Sequence, residues 1–423
     1  MLTAWIKQKL FVSRYAMRVS RALLMPLWAV TPFSLVHAFS ESTTSQWSYQ
    51  IGVDAWKISA SAQANSDPGH IEERSWLLLP DYDTNWRYKN TSAYGWVIAT
   101  KALTSKLNVS MKAQANQQLG LRVDEAQIEN HISPYLGFRL GVVDYKTSWC
   151  RTYESDSIWI RDVEPLCNLQ TYRDITGGAP GAQLFIKKMW AQYQLQVQAG
   201  IYRPRMWNYA PKEFGDLAPV PGMDYDYSVQ SNKKTGFNVN LIDLTRAIEA
   251  RVSYLHGIQE AYGPAANFQG TTQQASDAIY TAISFPLTEK LTARFSKFEQ
   301  TQNSTCRSSV AAFSNCNLNV FFKKSFTSAE AAYSVNSTQT IGLGISRINY
   351  DFEQRDYDPA LLLYLNAPHR NTEIEQKNLA WRSNWRAGFF TVVQYISAKQ
   401  TTTYKSSYPS NGHALGLRMG YQF

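Results

Sequence analysis

Apolar and polar side chains alternate residue by residue through much of this chain, the period of a β-strand with one oily face and one wet face. The longest run covers Met189 to Ile201 (MWAQYQLQVQAGI). There Met189, Ala191, Tyr193, Leu195, Val197, Ala199 and Ile201 share one face, and Gln192, Gln194, Gln196 and Gln198 share the other. A run of this length exceeds the ~5–6 residues of an ordinary globular strand and suits a tilted crossing of a bilayer, which takes roughly 9–11. The pattern recurs at Leu107/Val109/Met111/Ala113, Leu136/Phe138/Leu140/Val142, Phe237/Val239/Leu241, Ile248/Ala250/Val252/Tyr254 and Leu291/Ala293/Phe295. Further copies stand at Ala329/Ala331/Tyr333/Val335, Ile341/Leu343/Ile345 and Trp385/Ala387/Phe389/Thr391/Val393/Tyr395. The last nine residues (LGLRMGYQF) place Leu415, Leu417, Met419, Tyr421 and Phe423 on one face of a closing strand.

Short polar turns are predicted at Leu244-Thr245-Arg246, Thr288-Glu289-Lys290 and Phe326-Thr327-Ser328, and long polar connections at 61–75, 144–180, 203–233, 259–276, 301–316 and 351–375. Short turns at one rim and long loops at the other characterise a transmembrane β-barrel. The expected fold is therefore all-β: one antiparallel barrel of about 16–18 strands, whose closure removes the exposed edges of an open sheet.

The N-terminus reads as an export signal. Lys7, Lys9, Arg14, Arg18 and Arg21 precede the apolar stretch Ala22 to Val36 and the small-residue exit Val36-His37-Ala38, so residues 1–38 are expected to be cleaved, with 39–423 as a single barrel domain. A start at Met17 would give a leader of more usual proportions. The stretch is interrupted by Pro26 and Pro32 and falls short of the roughly 20 residues of a spanning helix.

Composition narrows the choice. Removing the leader takes the basic residues from 42 to 37 against 33 acidic ones, with no Lys/Arg cluster, which argues against nucleic acid as a partner. Mean hydropathy is −0.35 and no long apolar run follows the leader, which excludes a helical membrane protein. Aromatics at 13% suit the Trp and Tyr girdles of a barrel. Four cysteines lie in two close pairs, Cys150 with Cys167 and Cys306 with Cys316. An exported chain suggests two local disulfides; the competing reading, a metal site, lacks Cys-x-x-Cys units and accompanying His. No cofactor is implied.

The leader, the repeated amphipathic strands, the alternating connections and the ending Gly420-Tyr421-Gln422-Phe423 together resemble the porins of Gram-negative outer membranes. The resemblance implies an outer-membrane location with lipid around the barrel, and passive passage of small hydrophilic solutes. It also implies a trimer, an inward-folded loop, and a terminal Phe423 read by the barrel-assembly machinery.

If the apolar faces meet lipid, the opposite faces meet the lumen. That places Lys112, Arg122, Arg139, Arg251, Arg294, Arg386 and Arg418 along the pore, with the acids Asp124, Glu249 and Glu330. Two readings follow: a basic excess favours anions, or the bases are paired with acids and stiffen the wall. Segment 144–183 is the candidate constriction loop, with Glu154, Asp156, Asp162 and Glu164 between its two cysteines and Trp149 and Trp159 nearby. The alternative leaves it as an extracellular loop. A barrel enzyme is the second class of function, but no Gly-x-Ser-x-Gly elbow or His-Glu-x-x-His helix occurs, and a surface adhesin or receptor is the third.

Overall fold

The computed structural model describes residues 47–62, 91–116, 120–144, 149, 158–159, 178–203, 228–263, 270–308, 318–358, 363–366, 370–385, 388–404 and 406–422. Its strands are β1 (Trp47–Ala62), β2 (Thr91–Ala102), β3 (Leu107–Asn116), β4 (Gly120–His131), β5 (Leu136–Asp144), β6 (Gly178–Trp190) and β7 (Tyr193–Tyr202). They continue as β8 (Ser228–Asp243), β9 (Ile248–Gly263), β10 (Gly270–Pro286), β11 (Leu291–Ser308), β12 (Leu318–Ser334) and β13 (Gln339–Asp358). The last are β14 (Leu363–Asn366), β15 (Arg370–Asn384), β16 (Phe389–Tyr404) and β17 (Ser406–Gln422). All pair antiparallel in one 17-stranded sheet. The short β14 pairs only with the end of β13, and β13 pairs directly with β15 below it, which leaves sixteen staves in the wall. β1 pairs with β2 on one side and β17 on the other, with Gln50 opposite Gln422, so the sheet closes without an edge.

One rim carries tight turns at 103–106, 132–135, 191–192, 244–247, 287–290 and 335–338. Most share a residue pattern. Thr104, Ser133, Thr288 and Asn336 each follow an apolar residue, and each side-chain oxygen accepts from the backbone N–H two and three residues on, at 2.9–3.3 Å. Such local bonds give the backbone a ready turn. At 191–192 the device is missing, and Ala191 adopts φ +48° instead.

The outer surface bears the apolar faces. Val53, Leu140, Leu184, Ile201, Phe237, Val252, Phe295, Leu343, Leu379, Val393 and Leu415 are exposed there, with Tyr135, Trp190, Tyr333 and Trp385 near the tight-turn rim as an aromatic girdle. On β11 to β15 the polarity inverts part-way up. Below the switch, Phe295, Ile345 and Leu379 face out. Above it, the outer face carries ion pairs of Lys297 with Glu299 (2.8 Å), Lys377 with Glu375 (3.3 Å) and Arg347 with Glu373. The inner face there carries Phe298, Phe326, Ile348 and Ile374, successive register partners that are all buried.

Four sequence expectations are corrected. Met189 to Ile201 is not one strand: β6 turns at 191–192 into β7, so Met189 pairs with Gln194 and shares the inner face with it. Phe326-Thr327-Ser328 is no turn but the middle of β12, between Phe298 and Ile348. Much of 259–276, 301–316 and 351–375 is strand, because β9 to β13 and β15 continue above their apolar bands. Alternation also fails at Asp124, where a bulge between Lys112 and Ala113 brings Glu125 opposite Lys112.

Candidate functional site

The inner wall is built from paired charges. Lys112 on β3 faces Glu125 on β4 at 3.6 Å, and Glu125 also accepts from Ser110 (2.5 Å) and Gln127 (2.8 Å). Arg139 on β5 donates to Glu129 at 2.6 Å and to Gln183 at 2.7 Å. Arg251 donates to Glu249 at 3.3 Å, and Arg294 pairs with Glu330 on the adjacent strand. Arg418 on β17 donates to both carboxylate oxygens of Asp54 on β1 at 3.0 and 3.3 Å, and both residues have 0% exposure. Each expected lumen base whose side chain is described is thus held by an acid on a neighbouring strand or its own, the geometry of a stiffened wall. Arg122 lies in β4 opposite Gln114, but its side chain falls outside the described residues, as does the whole of Arg386.

Two tryptophans that follow β5 in sequence, Trp149 and Trp159, reach the inner wall. Trp149 is buried, donates its indole N–H to Glu249 at 3.0 Å, and has the guanidinium carbons of Arg251 and Arg294 each 5.5 Å from its ring. Trp159 packs its ring on Gly342 of β13, where any side chain would overlap it, and its carbonyl accepts from Arg418 at 3.0 Å. The two tryptophans therefore meet the wall at β9/β11 and at β13/β17, close to the tight-turn rim. A second apolar platform lies at the seam: the rings of Trp96 and Phe390 rest on the register partners Gly52 and Gly420, and Trp96 donates to Asp54 at 3.1 Å.

On the inner face from β3 to β8, Lys112, Glu129, Arg139, Gln196 and Gln198 are partly exposed, while Val143, Ala179, Phe185 and Tyr202 are buried. The acids Asp54, Glu125 and Glu129 escape an inventory of bases, although Asp54 stands out in the sequence as the one charge between Val53 and Ala55. Glu154, Asp156, Asp162 and Glu164, the cysteines Cys150, Cys167 and Cys316, residues 1–46 and Phe423 lie outside the described residues. So does the side chain of Cys306, which falls in β11.

Because Trp159 packs on a bare Gly342, Gly342→Val is expected to lift Trp159 off the wall and to lower the unfolding temperature by loosening its carbonyl from Arg418; an unchanged unfolding temperature would mean the contact carries no stability.

A closed antiparallel barrel with an even number of staves, an apolar exterior and aromatics at the turn rim is the architecture of outer-membrane β-barrels, and that is the class of this protein. No protein-family model matches the chain, and no curated protein resembles it. Among solved structures, it is similar to the outer membrane channel DcaP of Acinetobacter baumannii at 12% identity and a TM-score of 0.47, over 90% of this chain and 97% of that one. It is similar to OmpT, an outer membrane protein of Vibrio cholerae, at 8% identity and 0.46, over 91% and 99%. It is also similar to an anion-selective porin from Comamonas acidovorans at 8% and 0.45, over 90% and 99%. At these values the likeness decides nothing about solute or mechanism.

Proposed function

We propose that the protein is an outer-membrane channel through which small hydrophilic solutes diffuse passively, narrowed by Trp149 and Trp159, which are held to the wall between β9 and β17. The observation that carries this reading is the lining of the lumen: beside Trp149 and Trp159, the wall from β3 to β8 keeps charged and carboxamide side chains partly exposed, where a file of water could wet them. Transfer needs neither a cofactor nor a covalent step in this account.

Selectivity follows from the pairing. Lys112, Arg139, Arg251, Arg294 and Arg418 each have an acid beside them, so a passing ion meets dipoles more than net charge. The preference for anions suggested by the base count is accordingly proposed to be slight. The low wall over β2 to β5, with strands of 9 to 12 residues, is the face proposed to pack against other copies. Liposomes carrying the folded protein are expected to swell in isotonic solutions of small neutral solutes at rates that fall with solute size. Liposomes that stay as tight as protein-free ones would contradict the channel.

A further inference from the structure

Between the ion pairs, the inner face of β7 and β8 carries carboxamides. Gln198 on β7 stands in register with Asn238 on β8, and Gln196 with Asn240, which makes two successive rungs on the inner face. Gln198, Asn238 and Asn240 are oriented by hydrogen bonds, in part from the adjacent strand β9. Asn238 donates to Gln198 at 3.4 Å and accepts from Ser253 at 3.1 Å, while Asn240 donates to Glu249 at 2.7 Å. The Oδ1 of Asn240 is buried with no hydrogen-bond partner, and the same is true of Gln127 Oε1 on β4. At the two flanks of the rungs, Arg139 and Arg251 are engaged by Glu129 and Glu249.

We propose that Gln196 and Gln198, backed by Asn238 and Asn240, form a contact track that favours uncharged, polyhydroxylated solutes over ions of similar size. This deepens the channel reading and rests on it. A carboxamide both donates and accepts, and so does a hydroxyl, so each rung can exchange a solute's water for an equivalent pair of bonds. An ion passing the same rungs sheds hydration without meeting an uncompensated counter-charge. The track lies beside Trp149, which shares the Glu249 carboxylate with Asn240, and the side chains of Gln196 and Gln198 remain partly exposed.

The test uses the folded full chain in a planar bilayer in potassium chloride, with sucrose as the probe and current fluctuations as the readout. In the double variant Gln196→Leu/Gln198→Leu, sucrose residence should fall roughly two- to tenfold while salt conductance persists. In Gln196→Glu, which keeps the shape, the reversal potential in a salt gradient should move toward cations. Equal sucrose residence in wild type and the double variant would overturn the track, as would a reversal potential untouched by Gln196→Glu. A folded wild type that passes no ion current would overturn the channel reading itself and the track with it, so the two failures are distinguishable.

Discussion

Replacing Arg418 with methionine is expected to destabilise the barrel by about 3–5 kcal/mol, the range seen when one partner of a buried ion pair is removed. Arg418 and Asp54 are fully enclosed at the junction of the first and last strands, where the sheet closes. Without the guanidinium, Asp54 retains the indole N–H of Trp96, and Trp159 loses the donor to its carbonyl. The heated protein in detergent should therefore convert to its slow-migrating, unfolded form at a clearly lower temperature. Because removing both partners leaves no uncompensated charge, Asp54→Asn combined with Arg418→Met should recover part of the loss. A single variant as heat-resistant as the wild type would show that the seam does not depend on this pair.

The second large effect is expected on β7, where neighbouring residues face different solvents. Val197 points outward within the apolar run Leu195, Val197, Ala199 and Ile201, whereas Gln196 points to the lumen beside Asn240. Arginine at 197 puts a charge against hydrocarbon at a cost of about 2–4 kcal/mol near the midplane, and Val197→Arg should fail to assemble. Gln196→Arg should assemble, because its side chain extends into water. Membrane fractionation with heat-modified mobility separates the outcomes, and equal tolerance at both positions would contradict the placement of lipid and lumen.

Much of this architecture could be read from alternation. Leu291/Ala293/Phe295 and Ile341/Leu343/Ile345 fall where expected, and so do the turns that contain Thr245 and Thr288. The failures have local causes. At Ala191 a turn lacks Gly, Asn, Asp or Pro, so the alternation of Met189 runs unbroken on paper into that of Tyr193. At Phe326-Thr327-Ser328 the polar pair suggests a turn, yet Thr327 and Ser328 sit near the level where the outer face changes from apolar to charged. Past that level the period-two signal changes phase, because Lys297 and Arg347 face outward while Phe298 and Ile348 are buried inside.

The site was legible only in part. Bases on inward positions could be counted, but their partners depend on register. Glu125 meets Lys112 only because of a bulge, and Asp54 meets Arg418 only because the two ends of the chain close the barrel. Trp149 and Trp159 were visible as aromatics in a long segment; that they dock on Glu249 and Gly342 depends on contacts far apart in sequence.

A water-filled path through the barrel should be visible as current through the purified, folded chain in a planar lipid bilayer under a salt gradient. Stepwise, ohmic openings with a reversal potential close to zero are expected, since Lys112, Arg139, Arg251, Arg294 and Arg418 each stand beside an acid. A folded, inserted protein that gives no openings would contradict the channel, and a strongly displaced potential would contradict the neutralised wall.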